Sequence, residues 1–169
     1  GGTGSILQVQ NANTDSHQSH SMGNAFTWSD IPGITKAITP ASSSNKIMVS
    51  FHIMGEADID DNRIMFRVKR AISGGATSYI QGAAAGNRTQ MIGQFASHYH
   101  GDDNNDTPAT FDFANYVDSP STTSATTYTV QIACRDNSKT FHRNRCVMSD
   151  DITGSSMGIS YITLMEIKG

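Results

Sequence analysis

The sequence is short of charge. Lys, Arg, Asp and Glu make up 16% of its 169 residues, against about a quarter in ordinary soluble domains. The net charge is −3. A balance this close to neutral draws the chain neither to nucleic acid nor to anionic membranes. Long apolar runs are also missing. No stretch approaches the ~18 apolar residues of a membrane span, so membrane insertion is not expected. The first residues show no basic segment followed by an apolar one, so no signal peptide is expected there. Gly1 to Thr3 read as a cloning scar or a linker.

Cysteine is limited to Cys134 and Cys146. A tight hairpin at Asp136–Lys139 would set Cys134 opposite Phe141 and Cys146 opposite Thr129. That register holds the sulfurs too far apart for a bridge. Two free thiols are expected, with no disulfide framework. A sustained helical period of 3.6 is absent, as are an internal repeat and a domain linker. The whole of residues 1–169 therefore reads as one domain.

What the chain does have is a hydrophobic period of two. Lys46–Met54 is the strongest case, with Ile47, Val49, Phe51 and Ile53 on one face. Similar alternation predicts strands over Ser5–Gln10, Ile34–Thr39, Arg63–Val68, Met91–Tyr99, Ala109–Val117, Ala125–Cys134, Phe141–Met148 and Met157–Ile167. Ala25–Trp28 reads as a short apolar strand and Tyr79–Ile80 as another. Asn11–Asn24 reads as a polar loop. Asp30-Ile31-Pro32-Gly33 and Gly74-Gly75 read as turns. Gly82–Gln90 is small and polar and reads as a long loop. About ten short strands separated by turn signals imply an all-β, antiparallel β-sandwich of jelly-roll-like type. Lys46–Met54 and Gly158–Ile167 carry apolar residues on both faces. Such strands belong either in the centre of a core or at a buried subunit interface.

Several pieces of the chain resemble one family. They are Val117-Asp118-Ser119-Pro120, Thr122–Ala125 and Tyr128, then Val130-Gln131, Asn144-Arg145 and the closing strand Ser160–Ile167. At the front they are Ile6–Val9, Ile38-Thr39-Pro40 and Ser44–Val49. In this order they resemble the C-terminal, receptor-binding domain of phage tail-fibre-like virion proteins, especially those of marine phages. The resemblance implies a homotrimeric sandwich at a fibre tip or on the virion surface. Its partners would be further copies of itself, the rest of the fibre, and a host cell-surface polysaccharide or protein. Residues 52–110 depart most from the pattern, so no specific partner carries over. Asp118-Ser119-Pro120 reads as a structural turn in which Asp bonds its own backbone. Glu166 and Lys168 read as interface or edge-strand residues.

For chemistry, His98 and His100 stand two apart on a predicted strand, which puts both imidazoles on one side. With Asp102 and Asp103 close by, the pair suits Zn²⁺, Fe²⁺ or another transition ion. In a trimer of the kind the resemblance implies, such a pair on the axis would offer six nitrogens. The alternative is two exposed histidines at a strand end. His17 and His20 read as solvated loop residues. The oxygen-rich loops at 56–61 and 102–106 suit either Ca²⁺ or plain hydration. No nucleophile elbow, His-Glu-x-x-His or P-loop is found, so catalysis is not expected. Candidate recognition residues are Tyr99 with Asp102, Asp103 and Asn104, and, separately, Arg88 and Tyr79. Trp28 reads as a core residue because it ends an apolar stretch. Besides adhesion, the sequence admits a purely structural virion protein, or a hydrolytic domain acting on polysaccharide.

Overall fold

A computed structural model describes residues 2, 4–58, 64–95, 106–148 and 150–169. Its elements are β1 (Ile6–Thr14), β2 (Gln18–Ser21), β3 (Ser29–Ile38), β4 (Lys46–Ala57), β5 (Ile64–Ile72), β6 (Thr77–Ile80), β7 (Gly93–Phe95), β8 (Ala109–Asp118), β9 (Thr126–Cys134), β10 (Thr140–Arg143) and β11 (Ser160–Ile167). All named pairings are antiparallel. The fold is all-β.

In sheet one, β4 lies between β8 and β11, and β11 pairs with β1. Where β11 leaves β4, β10 takes its place along residues 55–57, and β2 pairs beyond it. In sheet two the order is β3-β9-β5, with β6 and β7 sharing the last edge of β5. The inward residues of the two sheets form one core. Ile47, Val49, Phe51 and Ile53 of β4 are buried against it, as their alternation predicts. Phenylalanines stitch the layers together. Phe66 of sheet two stacks on Phe111 of sheet one at 4.9 Å, and Phe95 meets Phe141 at 6.1 Å.

A polar tie crosses the same core. Both Asp118 carboxylate oxygens accept from Arg70 Nη1, at 2.7 and 2.8 Å. The Tyr128 hydroxyl donates to the same carboxylate at 2.7 Å. Burial, and then the Asp118 charge, push the Tyr128 hydroxyl far above its ordinary pKa. Asp118 thus has a structural role, as the Asp-Ser-Pro pattern suggests. Its carboxylate, however, reaches across to the other sheet rather than closing a local turn.

Other expectations need correction. Asp136–Lys139 is not a hairpin. Both edges of β9 are taken by β3 and β5, so the next strand crosses to sheet one. Cys134 and Cys146 are free and buried. Ala25–Trp28 is a turn, with Thr27 N bonded to Asn24 O and Phe26 at φ 57°. Asp30–Gly33 does turn, but as a bulge inside β3: Asp30 pairs with Gln131 and Thr35 with Thr129, so residues 31–34 bulge opposite Val130. Gly33 takes φ +82° there, and the Arg143 guanidinium lies 3.1 Å from where a Cβ would stand. The predicted loop at 11–24 instead contains the end of β1 and all of β2. β10 stops at Arg143 because Asn144 adopts φ 62° and its buried carboxamide bonds Thr14 O and Ser16 O.

Glu166 is neither an edge nor an interface residue. β11 lies between β1 and β4, and the Glu166 side chain is buried on the core side. It accepts from Gln8 Nε2, Asn45 Nδ2 and Ala41 N at 2.6–2.7 Å. Burial raises its pKa, but these donors outweigh burial and hold it below the ordinary value.

Candidate recognition surface

A cluster of aromatic and charged groups lies on the outer face of sheet two. Period-two geometry builds it. Trp28 and Asp30 are two apart entering β3, as are Arg67 and Lys69 on β5, Thr129 and Gln131 on β9, and Tyr79 and Gln81 at the end of β6. Register brings these pairs side by side: Asp30 faces Gln131, Gln131 faces Arg67, and Lys69 faces Tyr79.

The Arg67 guanidinium is the centre. Its Cζ lies 3.8 Å from the Tyr79 ring centroid and 4.5 Å from the Trp28 ring centroid. A delocalised, weakly hydrated cation suits such a site, each contact being worth about 0.5–2 kcal/mol. The edge of the guanidinium is also fixed. Nε donates to Gln131 Oε1 at 2.7 Å and Nη1 to Gln81 Oε1 at 3.1 Å. Gln131 Nε2 then donates to Asp30 Oδ1 at 2.7 Å, and Lys69 Nζ donates to Asp30 Oδ2. Burial pushes Arg67 below its ordinary pKa. Burial raises that of Asp30, but hydrogen bonds from Lys69 and Gln131 and the nearby cations more than offset it, and the net shift is downward.

The outcome is a rigid patch. Tyr79 keeps 44% of its surface exposed. Its ring is held by the cation beneath, so one flat apolar face can be offered to a ligand at little entropic cost. Asp30 and Lys69 stand beside it as partners for hydroxyl groups. Tyr79 is the predicted recognition residue that lies here. Trp28 is not in the core; it is half-buried on this outer face. Nothing local in the sequence marks Arg67, because its neighbours come only from the register of β5 against both β9 and β6. Arg88 lies elsewhere, on the loop before β7, and donates to Ala85 O of its own turn at 3.2 Å. Tyr99, Asp102, Asp103, Asn104, His98 and His100 lie outside the described residues.

Of the acidic loop at 56–61, Glu56 accepts from Thr107 N and Val147 N at 3.2 and 2.8 Å, and Asp58 accepts from Thr140 N at 2.6 Å. Both carboxylates serve backbone amides. His20 is half-buried on β2 rather than in a solvated loop, bonded to Ser29 Oγ at 2.8 Å. Among the described residues, no three His, Cys, Asp or Glu side chains gather as a metal site.

No protein-family model and no curated protein matches the chain. Among solved structures, that of infectious bursal disease virus, Gx strain, is similar, with 8% sequence identity and a TM-score of 0.42. The match covers 96% of this chain and 37% of that one, so this chain spans little more than a third of its length. At that distance the likeness bears on neither ancestry nor function.

Proposed function

We propose that the chain is the receptor-binding head of a virion fibre, a homotrimer that grips cell-surface glycan through the outer face of sheet two. The observation that carries this reading is the Trp28–Arg67–Tyr79 stack with its exposed tyrosine face. Sugar rings bind by laying an apolar face on an aromatic ring while side chains bond their hydroxyls, and this surface offers both. Three modest sites on one rigid head would act together.

The strand order supports a jelly roll. Taking β1, β3, β4, β5, β6, β8, β9 and β11 as strands one to eight, sheet one runs 1-8-3-6 and sheet two 2-7-4-5. That alternation is the jelly-roll pattern, shared by many virion surface proteins. Support for assembly comes from an apolar row across sheet one. Val9, Met165, Met48 and Val117 stand side by side on its outer face, with Val9 52% and Val117 51% exposed. The resemblance of Val117–Tyr128 and Ser160–Ile167 to fibre proteins points the same way.

The test is staining of a panel of marine bacteria by the labelled protein, with its mass measured by light scattering. A trimer that stains cells, is competed off by their polysaccharide, and loses staining on Tyr79→Ala supports the proposal. A trimer that stains nothing supports a second reading, a purely structural virion protein. What favours that second reading is that Arg67, Gln131 and Asp30 are already bonded to one another.

A further inference from the structure

We infer that the opposite face of the sandwich carries a second binding site, a groove for a neutral saccharide over the paired ends of β1 and β11. The groove holds about 610 Å³ and is lined by Asn11, Asn13, Asp15, Ile159, Tyr161 and Thr163, among others. That volume lies within the range of about 300–1,000 Å³ usual for small-ligand sites.

The lining is preorganised. Asn13 Nδ2 donates to Asn11 Oδ1 at 3.0 Å, and Asn11 Nδ2 donates to Thr163 Oγ1 at 2.8 Å and to Ile162 O at 3.3 Å. Tyr161 is fixed as well. Its ring stacks on His52 at 5.5 Å, and His52 Nδ1 is bonded to Asp112 Oδ1 at 2.7 Å. Register sets Asn13, Tyr161, His52 and Asp112 in one row across four strands.

What this ladder leaves over defines the ligand. Thr163 Oγ1 accepts from Asn11, so its own hydrogen is free to donate. Asn13 retains one N–H and its carbonyl oxygen, and Asp15 contributes a carboxylate. Donors and acceptors thus alternate beside one aromatic ring and the apolar Ile159, which is 54% exposed. A polyhydroxylated ring presents the matching alternation on its edge and C–H groups on its face. The only ionic side chain among the lining residues is Asp15, so anionic sugars are repelled.

The site is independent of the sheet-two stack, and the protein's single tryptophan separates the two. Trp28 belongs to the stack and lies on the other sheet. Neutral trisaccharides of glucose, mannose, galactose and N-acetylglucosamine are titrated into the protein, with sialyllactose as the anionic control. Tryptophan emission is recorded alongside the side-chain amide resonances of Asn11 and Asn13. The inference expects one neutral sugar to shift those resonances and leave emission unchanged. Tyr161→Ala and the milder Thr163→Val should each weaken that binding by about tenfold or more. Tyr79→Ala should leave it unaltered. The inference is overturned if no neutral sugar moves the Asn11 and Asn13 resonances, if sialyllactose binds as well, or if Thr163→Val and Tyr161→Ala both bind like the parent. Loss of cell staining in Tyr79→Ala is a separate result and speaks only to sheet two.

Discussion

The two outer faces of this sandwich hold their side chains in opposite ways. On sheet two, ionic and aromatic groups lock one another: Lys69 and Gln131 grip Asp30, and Gln131 passes on to an Arg67 clamped between two rings. Polar capacity is largely consumed within the patch, which leaves rigid ring surface. On sheet one the ladder is uncharged along β1 and β11. An apolar row gives way to amides and hydroxyls whose bonding is only part used. The first face is built to present a shape, the second to complete hydrogen bonds with something else. The sandwich separates these tasks because alternate residues of every strand are spoken for by the core.

The strongest way to break that comparison is to remove what both faces rest on. Asp118→Ala strips Arg70 and the buried Tyr128 hydroxyl of their shared acceptor across the sheets. It should cost about 3 kcal/mol in urea unfolding. The Trp28 emission transition and the protection of β11 amides against exchange should weaken together; if only one sheet loosens, the sheets are not coupled through this tie. Arg67→Ala is next, at about 1–2 kcal/mol, because two ring contacts go and Gln131 and Gln81 lose their donor. Arg67→Lys should not restore the stack, since an ammonium lacks the flat plate. Both variants should leave the Asn11 and Asn13 resonances in place.

Much of the fold was legible because period two is a local signal. The inward set of β4 is plain from Ile47, Val49, Phe51 and Ile53 alone. Glu166 shows what happens when two local signals conflict. Its parity with Ile162 and Leu164 points inward, while its charge argues for the surface. Parity prevails because Gln8, Asn45 and Ala41 supply the donors. Pairing between distant strands was not legible. The β9–β10 connection looks like a hairpin until β3 and β5 are seen to occupy both edges of β9. The candidate site suffered in the same way. Tyr79 could be picked out as a loop aromatic, but Trp28 and Arg67 join it only through register across three strand pairs.

The β2–β10 end of sheet one and the outer face of sheet two should also respond to acid in different windows. On sheet one, His20 and His142 both have pKa values below that of an ordinary imidazole, each first through burial and then through a neighbouring cation, Arg143 or Arg145. Arg145 Nη2 lies 2.7 Å from His142 Nδ1, a contact that requires an unprotonated acceptor nitrogen. With folded values depressed, the unfolded chain takes up protons first. Stability is therefore held above pH 6.5 and lost as pH falls through the folded values. On sheet two the depressed group is Asp30, a carboxyl held below its already acidic ordinary value, so its contribution persists until far stronger acid. Urea midpoints measured from pH 7.5 to 5 should decline, and His20→Gln with His142→Gln should flatten that decline. A parent protein whose midpoint does not change over this range would remove the distinction between the sheets.

The smallest change in folding stability should come from the apolar row. Val9 and Val117 are each about half exposed in the chain alone. Replacing both by Lys should alter unfolding by only about 0.5 kcal/mol, as for other surface positions. The mass in solution should respond differently. If copies meet across this row, two ammonium groups per chain would have to be buried without partners, and the trimer should fall to a monomer. A variant that keeps both its stability and its mass would show that this row faces water. Sheet one would then offer only its saccharide groove, and assembly would have to run through some other surface.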